Sequence, residues 1–477
     1  MKTETSDSNG RGGQHNMIIG AVMVPHPPIA VHEIGRGEEA KIQTTLDSFA
    51  AVADYIAGQK PDTIVLTTPH ALMYRDWFNI SRGAEAYGDF SRYRAKKVSF
   101  HVDYDEEFVK RLEALCRAEN IPAGTDYDRD PELDQGTMVP LYFINQKYTD
   151  YKLVRIGLSG YPLSMHYRFG MMIQKAAQEA DRRILLVASG DLSHCEKEDG
   201  PYGFKPEGPE YDARLMQDMS SASFGNLMRY SDTFLDKAQE CGHRSFTIMA
   251  GALDGLAVHA RTLSHEATFG VGYGFVIYDI GGADESRHFL DAYEAAMKAE
   301  CRAKTEAADA YVKLAVQTIQ EWVLHHHRPA LPDDLPKEMR TERAGVFVSI
   351  HKQGSLRGCI GTIGPVRSCI AKEIIENGIS ACSRDPRFEP VTAEELPYLE
   401  VSVDVLSEPE PIDGPHQLDV KRYGAIVSTE DGRRGLLLPN LDGVDTVEEQ
   451  ISIARSKGGI SEYDEYQLER FEVVRHE

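Results

Sequence analysis

Three short apolar runs, each followed by a histidine, constrain this chain more than any other feature. Ile18–Val24 leads into Pro25-His26-Pro27-Pro28, and Thr63–Thr68 leads into Pro69-His70. Ile184–Ala188 leads into Ser189-Gly190-Asp191-Leu192-Ser193-His194. Short runs of β-branched and aliphatic residues read as strands buried on both faces, as in parallel sheets. Between the first two runs, Ile42, Leu46, Phe49, Ala50, Ala53 and Ile56 recur with a helical period. Strand, helix and strand in that order predict a parallel sheet with a right-handed crossover. Ligands of such sheets bind beyond the carboxyl ends of the strands. Three histidines at three strand ends therefore point to a metal site on one sheet edge.

The pattern continues along the chain. Val98–Val102 and Leu153–Leu158 read as strands, and the stretches from Asp105 to Arg117 and from Leu163 to Asp181 as helices. Tyr211 to Lys237 reads as helix broken near Ser221–Ser223. His243 to Ala260 reads as one apolar helix, and Thr268–Ile280 as a closing strand. Gly281-Gly282 then marks a boundary. Ala292 to Leu324 is helical, as one helix or two, and ends in His325-His326-His327, where a helix-terminal dipole interaction is the simplest reading. Short strands follow at Val346–Ile350, Leu399–Leu406, Ala425–Ser428 and Gly435–Leu438, with helices near Ile370–Ile379 and Thr446–Ser456.

At 477 residues the chain exceeds one ordinary core. The expected layout is a polar disordered leader over 1–16, an α/β domain over 17–281 with a central, mainly parallel sheet flanked by helices, a linker over 282–294 and an α+β domain over 295–477. The net charge of −23 argues against non-specific nucleic-acid binding and against docking on an anionic membrane. No apolar run approaches a membrane span. Seven widely spaced cysteines without a Cys-x-x-Cys pair fit a reducing, cytoplasmic setting and no structural zinc.

Two histidines and a carboxylate with open positions suit non-haem iron(II). Glu240, in Glu240-Cys241-Gly242-His243, is the candidate carboxylate, with the adjacent Cys241 as the alternative donor. Pro-His26-Pro, Pro-His70 and Ser-Gly-Asp191-Leu-Ser-His194 resemble the class III extradiol dioxygenases, the LigB-like fold, and the related Memo proteins, over about residues 17–280. The resemblance implies Fe(II), with zinc as another admissible divalent metal, held by His26, His70 and Glu240. His194 would then be the acid/base, Asp191 its orienting partner, and His166 a pocket residue. It implies ring cleavage of a catechol-like aromatic diol by O2. Where the family often has Asp-His-Gly, this chain has Asp134-Gln135-Gly136; Gln135 hydrogen-bonds but carries no proton at neutral pH.

Further on, Leu356-Arg357-Gly358-Cys359-Ile360-Gly361, Ser383-Arg384-Asp385-Pro386-Arg387-Phe388 and Gly435–Pro439 resemble the AMMECR1 family over about residues 295–477. Arg357, Cys359, Asp385 and Arg387 are candidates for a cleft that takes an anionic or carbonyl ligand, with His351 the nearby candidate base for the thiol. The plainer reading makes Cys359 a small residue where backbones approach closely. The joined architecture is similar to the AmmeMemoRadiSam group. That implies an alternative function: a metal-binding partner of a separate radical SAM enzyme, without ring cleavage. Related folds often dimerise, so a homodimer is expected by analogy.

Overall fold

The computed structural model describes residues 17–180, 182–441 and 443–477. The expected leader lies outside them. The chain forms two compact units that divide between Tyr293 and Glu294, inside the helix Phe289–Ala307. Among the described residues no helix is long and apolar enough to cross a membrane.

The strands of the N-terminal unit are, in chain order, β1 (Ile18–Val24), β2 (Thr63–Thr68), β3 (Phe78–Asn79), β4 (Glu85–Phe90), β5 (Ala95–Asp103), β6 (Ala123–Gly124), β7 (Lys152–Gly157), β8 (Ile184–Ser189), β9 (Leu256–Glu266) and β10 (Tyr273–Ala283). Six of them form one sheet in the order β7-β2-β8-β1-β10-β9. The first four are mutually parallel, and β10 and β9 join antiparallel. This is an α/β domain with a mixed, mostly parallel sheet. All of β2 and β8 is buried, as their unbroken apolar character requires.

Register explains the convergence of the motifs. Val24 pairs with Ser189, and Thr67 with Ala188. The three neighbouring strands β2, β8 and β1 therefore stop at the same edge. The residues just past each stop, His70, Asp191 and His26, are delivered side by side. Beneath the sheet, helices Leu163–Ala180 and His243–Ala252 cross closely. A Cβ on Gly170 would stand 2.0 Å from the Ile248 carbonyl oxygen, and one on Gly251 1.9 Å from that of Tyr167. Phe49, Val52 and Ile56 of helix Gln43–Gln59 belong to the main core with Leu66, Leu185 and Phe275.

Two expectations are corrected. The helix expected over 243–260 ends at Ala252. Gly255 (φ 69°) turns the chain in a left-handed conformation, and β9 begins at Leu256. The closing strand starts at Tyr273, because Gly270 (φ 79°) makes a turn before it. The broken helix resolves into Glu207–Ser220, a 3-10 turn Phe224–Arg229 and Asp232–Ala238, with Ala222 at φ 52° in the break.

The C-terminal unit is α+β. Its strands are β11 (Gly345–Lys352), β12 (Ser355–Gly361), β13 (Leu399–Leu406), β14 (Glu410–Ile412), β15 (Gly424–Ser428), β16 (Arg434–Leu437), β17 (Gln467–Phe471) and β18 (Val473–His476). They form two antiparallel sheets, β12-β11-β13-β18 and β14-β17-β15-β16. Val346, Val348 and Ile350 pack into a core with Leu314, Ala315, Ile374 and Ile375 of helices Ala310–His325 and Ile370–Ser383. The helical stretch left open between one helix and two is two, separated by Asp309, which caps the second through the Tyr311 and Val312 amides.

Candidate metal centre

His26 follows β1 and is 1% exposed. Its Nδ1 lies 3.0 Å from the Ser189 hydroxyl, which itself donates to the Gly136 carbonyl. The hydroxyl oxygen therefore accepts from an N–H at Nδ1, and Nε2 of His26 carries a lone pair. His70 follows β2. Its Nε2 lies 3.2 Å from the amide nitrogen of Gln135, whose oxygen accepts from the Tyr93 hydroxyl. The tyrosine orients the amide so that NH2 faces His70, making His70 Nε2 an acceptor as well. The two Nε2 atoms face each other at 2.9 Å. Two lone pairs at that separation repel unless a cation lies beside them.

The third candidate donor is the Cys241 thiol. His26, His70 and Cys241 offer ligand atoms that all lie within 4.8 Å of one another, as do Asp191, His194 and Cys241. Sγ accepts the Asp191 amide at 3.2 Å and lies 3.7 Å from His26 Nε2. Two imidazoles and a thiol fit a divalent transition metal such as iron or zinc. Their ionisation agrees. Burial holds His26 well below the ordinary histidine range, helped by the neighbouring His70, and burial lowers His70 despite Asp134 and Asp191. Both are neutral ligands at pH 7. Burial, with Asp191 and Glu240 nearby, pushes the Cys241 thiol well above its usual value; only a cation would make it a thiolate there.

Glu240 is not among these donors, which corrects the expectation for the third ligand. Its carboxylate turns the other way and accepts the His243 amide at 2.6 Å, at the start of helix His243–Ala252. Burial raises its pKa to about 7. His166 is corrected too. It is fully buried against Phe78, with Nδ1 3.1 Å from the Pro162 carbonyl and Nε2 accepting the Ser159 amide. Burial lowers its pKa to about 3. It belongs to the helical layer and not to the site.

His194 and Asp191 lie side by side, with His194 Nε2 3.9 Å from Asp191 Oδ2. His194 Nδ1 lies 2.6 Å from the Gln239 carbonyl, so Nδ1 holds the proton and Nε2 is free to accept one. Asp191 accepts the His26 amide at 2.8 Å, and burial raises its pKa. Gln135 opens helix Gln135–Ile144. Asp134 caps that helix through Thr137 and also accepts from Thr68 at the end of β2. Tyr93 and Ser189 escaped sequence reasoning. Tyr93 carries no local signal, and Ser189 read only as part of a motif.

In the C-terminal unit Cys359, Asp385 and Arg387 lie together. Cys359 is on β12, an edge strand. Its N–H donates to Asp385 at 2.9 Å and its carbonyl accepts from Arg387 at 3.0 Å. Asp385 and Arg387 bond to each other, and Arg387 holds the carboxyl down at about 2. The pair thus satisfies the unpaired edge of the strand. Arg357 is held apart by both Glu395 oxygens, at 3.0 and 2.9 Å, and by the carbonyls of Glu389 and Pro390. It braces that loop, which corrects its assignment to the cleft. The thiol's hydrogen-bond partner is Ser349, at 3.2 Å, and not His351.

Comparisons with known proteins agree with this architecture. A family model described as the catalytic LigB subunit of aromatic ring-opening dioxygenase matches residues 20–276, and one described as AMMECR1 matches residues 312–476. A Clostridium acetobutylicum protein whose name states no activity is 42% identical over 96% of this chain and 99% of its own length. A Thermotoga maritima protein is 48% identical over 35% of this chain and 96% of its own. The crystal structure of an uncharacterised Pyrococcus horikoshii protein is 32% identical, covering 36% of this chain and 90% of that one, with a TM-score of 0.33.

Proposed function

The chain belongs to the family of the catalytic LigB subunit of aromatic ring-opening dioxygenases, with an AMMECR1 domain joined to it, and from that premise we propose that its N-terminal unit opens a catechol-like aromatic diol with O2 at an iron(II) ion. The observation that carries this reading is the meeting of the His26 and His70 Nε2 lone pairs at 2.9 Å beside Cys241, with His194 and Asp191 alongside. An iron(II) ion held by His26, His70 and Cys241 would supply a Lewis-acidic, redox-active anchor for diol and O2.

The residues around it have separable tasks. His194 accepts a phenolic proton at Nε2, because the Gln239 carbonyl keeps the proton of Nδ1 in place. Asp191, beside that ring, stabilises the imidazolium that results. Gln135, turned by Tyr93, donates a hydrogen bond into the site but takes no proton. His26 is buried and His70 exposed, so a planar substrate enters from the His70 side.

The test is metal analysis of protein purified without air, followed by catechol and O2. Bound iron and a yellow ring-opened product are expected. Metal without turnover overturns ring opening and leaves a metal-binding protein. Absence of metal overturns the site itself.

A further inference from the structure

A cavity of about 1520 Å3 lies wholly within the C-terminal unit. One wall is the face of the β12-β11-β13-β18 sheet turned away from the helices. Cys359 on β12, Ser349 on β11 and Ser402 on β13 are opposite one another in register, so they form one polar row across this wall. Asp404 and Arg475 form the next, joined at 2.8 and 3.2 Å. Ser349 and Asp404 are 8% and 3% exposed. Small polar residues on a covered sheet face contribute little to a core, and here they border open volume.

The charges facing this volume are mostly spent on one another. Lys304 pairs with Glu400, Arg434 with Glu469, Arg387 with Asp385 and Arg475 with Asp404. Lys457, at the end of helix Val447–Lys457, lines the cavity too. Among the described residues it is the lining cation with no carboxylate within ion-pair distance. Its charge and that of Arg387 reach the Cys359 thiol. Burial pushes the thiol up, while the Ser349 hydroxyl, Arg387 and Lys457 pull it down against Asp404.

We propose that this cavity is a binding site for a small organic molecule carrying an oxyanion group, whose charge sits on Lys457 and whose body lies along the Cys359–Ser349–Ser402 row. A lone ammonium on a flexible stem accepts either a phosphate or a carboxylate, and two probes separate them. Neither depends on metal chemistry in the N-terminal unit.

The experiment uses the full chain. The first arm measures equilibrium dialysis of labelled inorganic phosphate. The second maps alkylation of Cys359 by mass spectrometry with iodoacetate and with neutral iodoacetamide, taking the same cysteine in urea as reference. Saturable phosphate binding, or an iodoacetate-to-iodoacetamide ratio about tenfold above the reference, is expected in the native protein. Lys457→Met should abolish it and Lys457→Arg should keep it. Response in the first arm alone assigns a phosphate ligand, and response in the second alone a carboxylate. If neither signal exists, or neither changes in Lys457→Met, the proposal is overturned.

Discussion

Adjacent residues at one turn have opposite fates. Cys241 faces the two imidazoles, whereas Glu240 faces a helix start. Cys241→Ala should therefore weaken metal binding by more than the roughly 10–100-fold that an outer-shell partner contributes. Glu240→Ala should leave metal content unchanged and cost about 1 kcal/mol of stability, the scale of a lost helix cap. Metal competition against a chelator, set beside urea unfolding, distinguishes the two; equal metal loss in both variants would sink the assignment. In the proposed reaction Nε2 of His194 is the base, so His194→Ala should retain metal yet lose ring-opening turnover. Loss of metal in that variant would make it a ligand instead. The histidines were legible in the sequence because each follows a buried strand. The choice between Glu240 and Cys241 was not. It depends on side-chain direction at a turn whose shape is set by contact with the Asp191 loop, and no local spacing encodes that contact.

The helix Leu163–Ala180 carries a titratable group into a dry layer. His166 is folded with a pKa of about 3, against an ordinary value of 6.5. The sign follows from proton counting. Between pH 6.5 and about 3 the unfolded chain binds a proton that the folded chain does not, so stability falls as pH falls through this window. The slope is about 1.4 kcal/mol per pH unit for one histidine. Urea midpoints from pH 7 to pH 5 should decline less steeply in His166→Gln; an unchanged slope would place the titration elsewhere. Sequence reading was most reliable for elements buried on both sides. β1 and β2 have the expected bounds because an unbroken apolar run leaves one environment for them. It failed over 243–260, where apolar residues continue through Gly255 into β9. Periodicity does not separate a short buried helix from a following strand when one left-handed glycine marks the change.

At the scale of the whole molecule, the largest hydrophobic clusters described in the two units share no residue: one is built from β1, β2, β8 and β10 with their helices, the other around β11 and β13. The candidate metal donors His26, His70 and Cys241 all belong to the N-terminal unit. A ligand that binds only the folded form stabilises it by RT ln(1 + [L]/Kd), about 2.7 kcal/mol at a hundredfold excess over Kd. That increment should go to the unit that carries the donors. The two tryptophans allow the test, since Trp77 lies in the N-terminal unit and Trp322 in the C-terminal one. In Trp322→Phe, fluorescence reports Trp77 alone, and removal of metal by a chelator should lower the unfolding midpoint. In Trp77→Phe, the Trp322 signal should unfold at the same midpoint with and without metal. A shift of the Trp322 transition equal to that of Trp77 would mean that metal stabilises the chain as one cooperative unit, and that two separate cores do not imply two separate transitions.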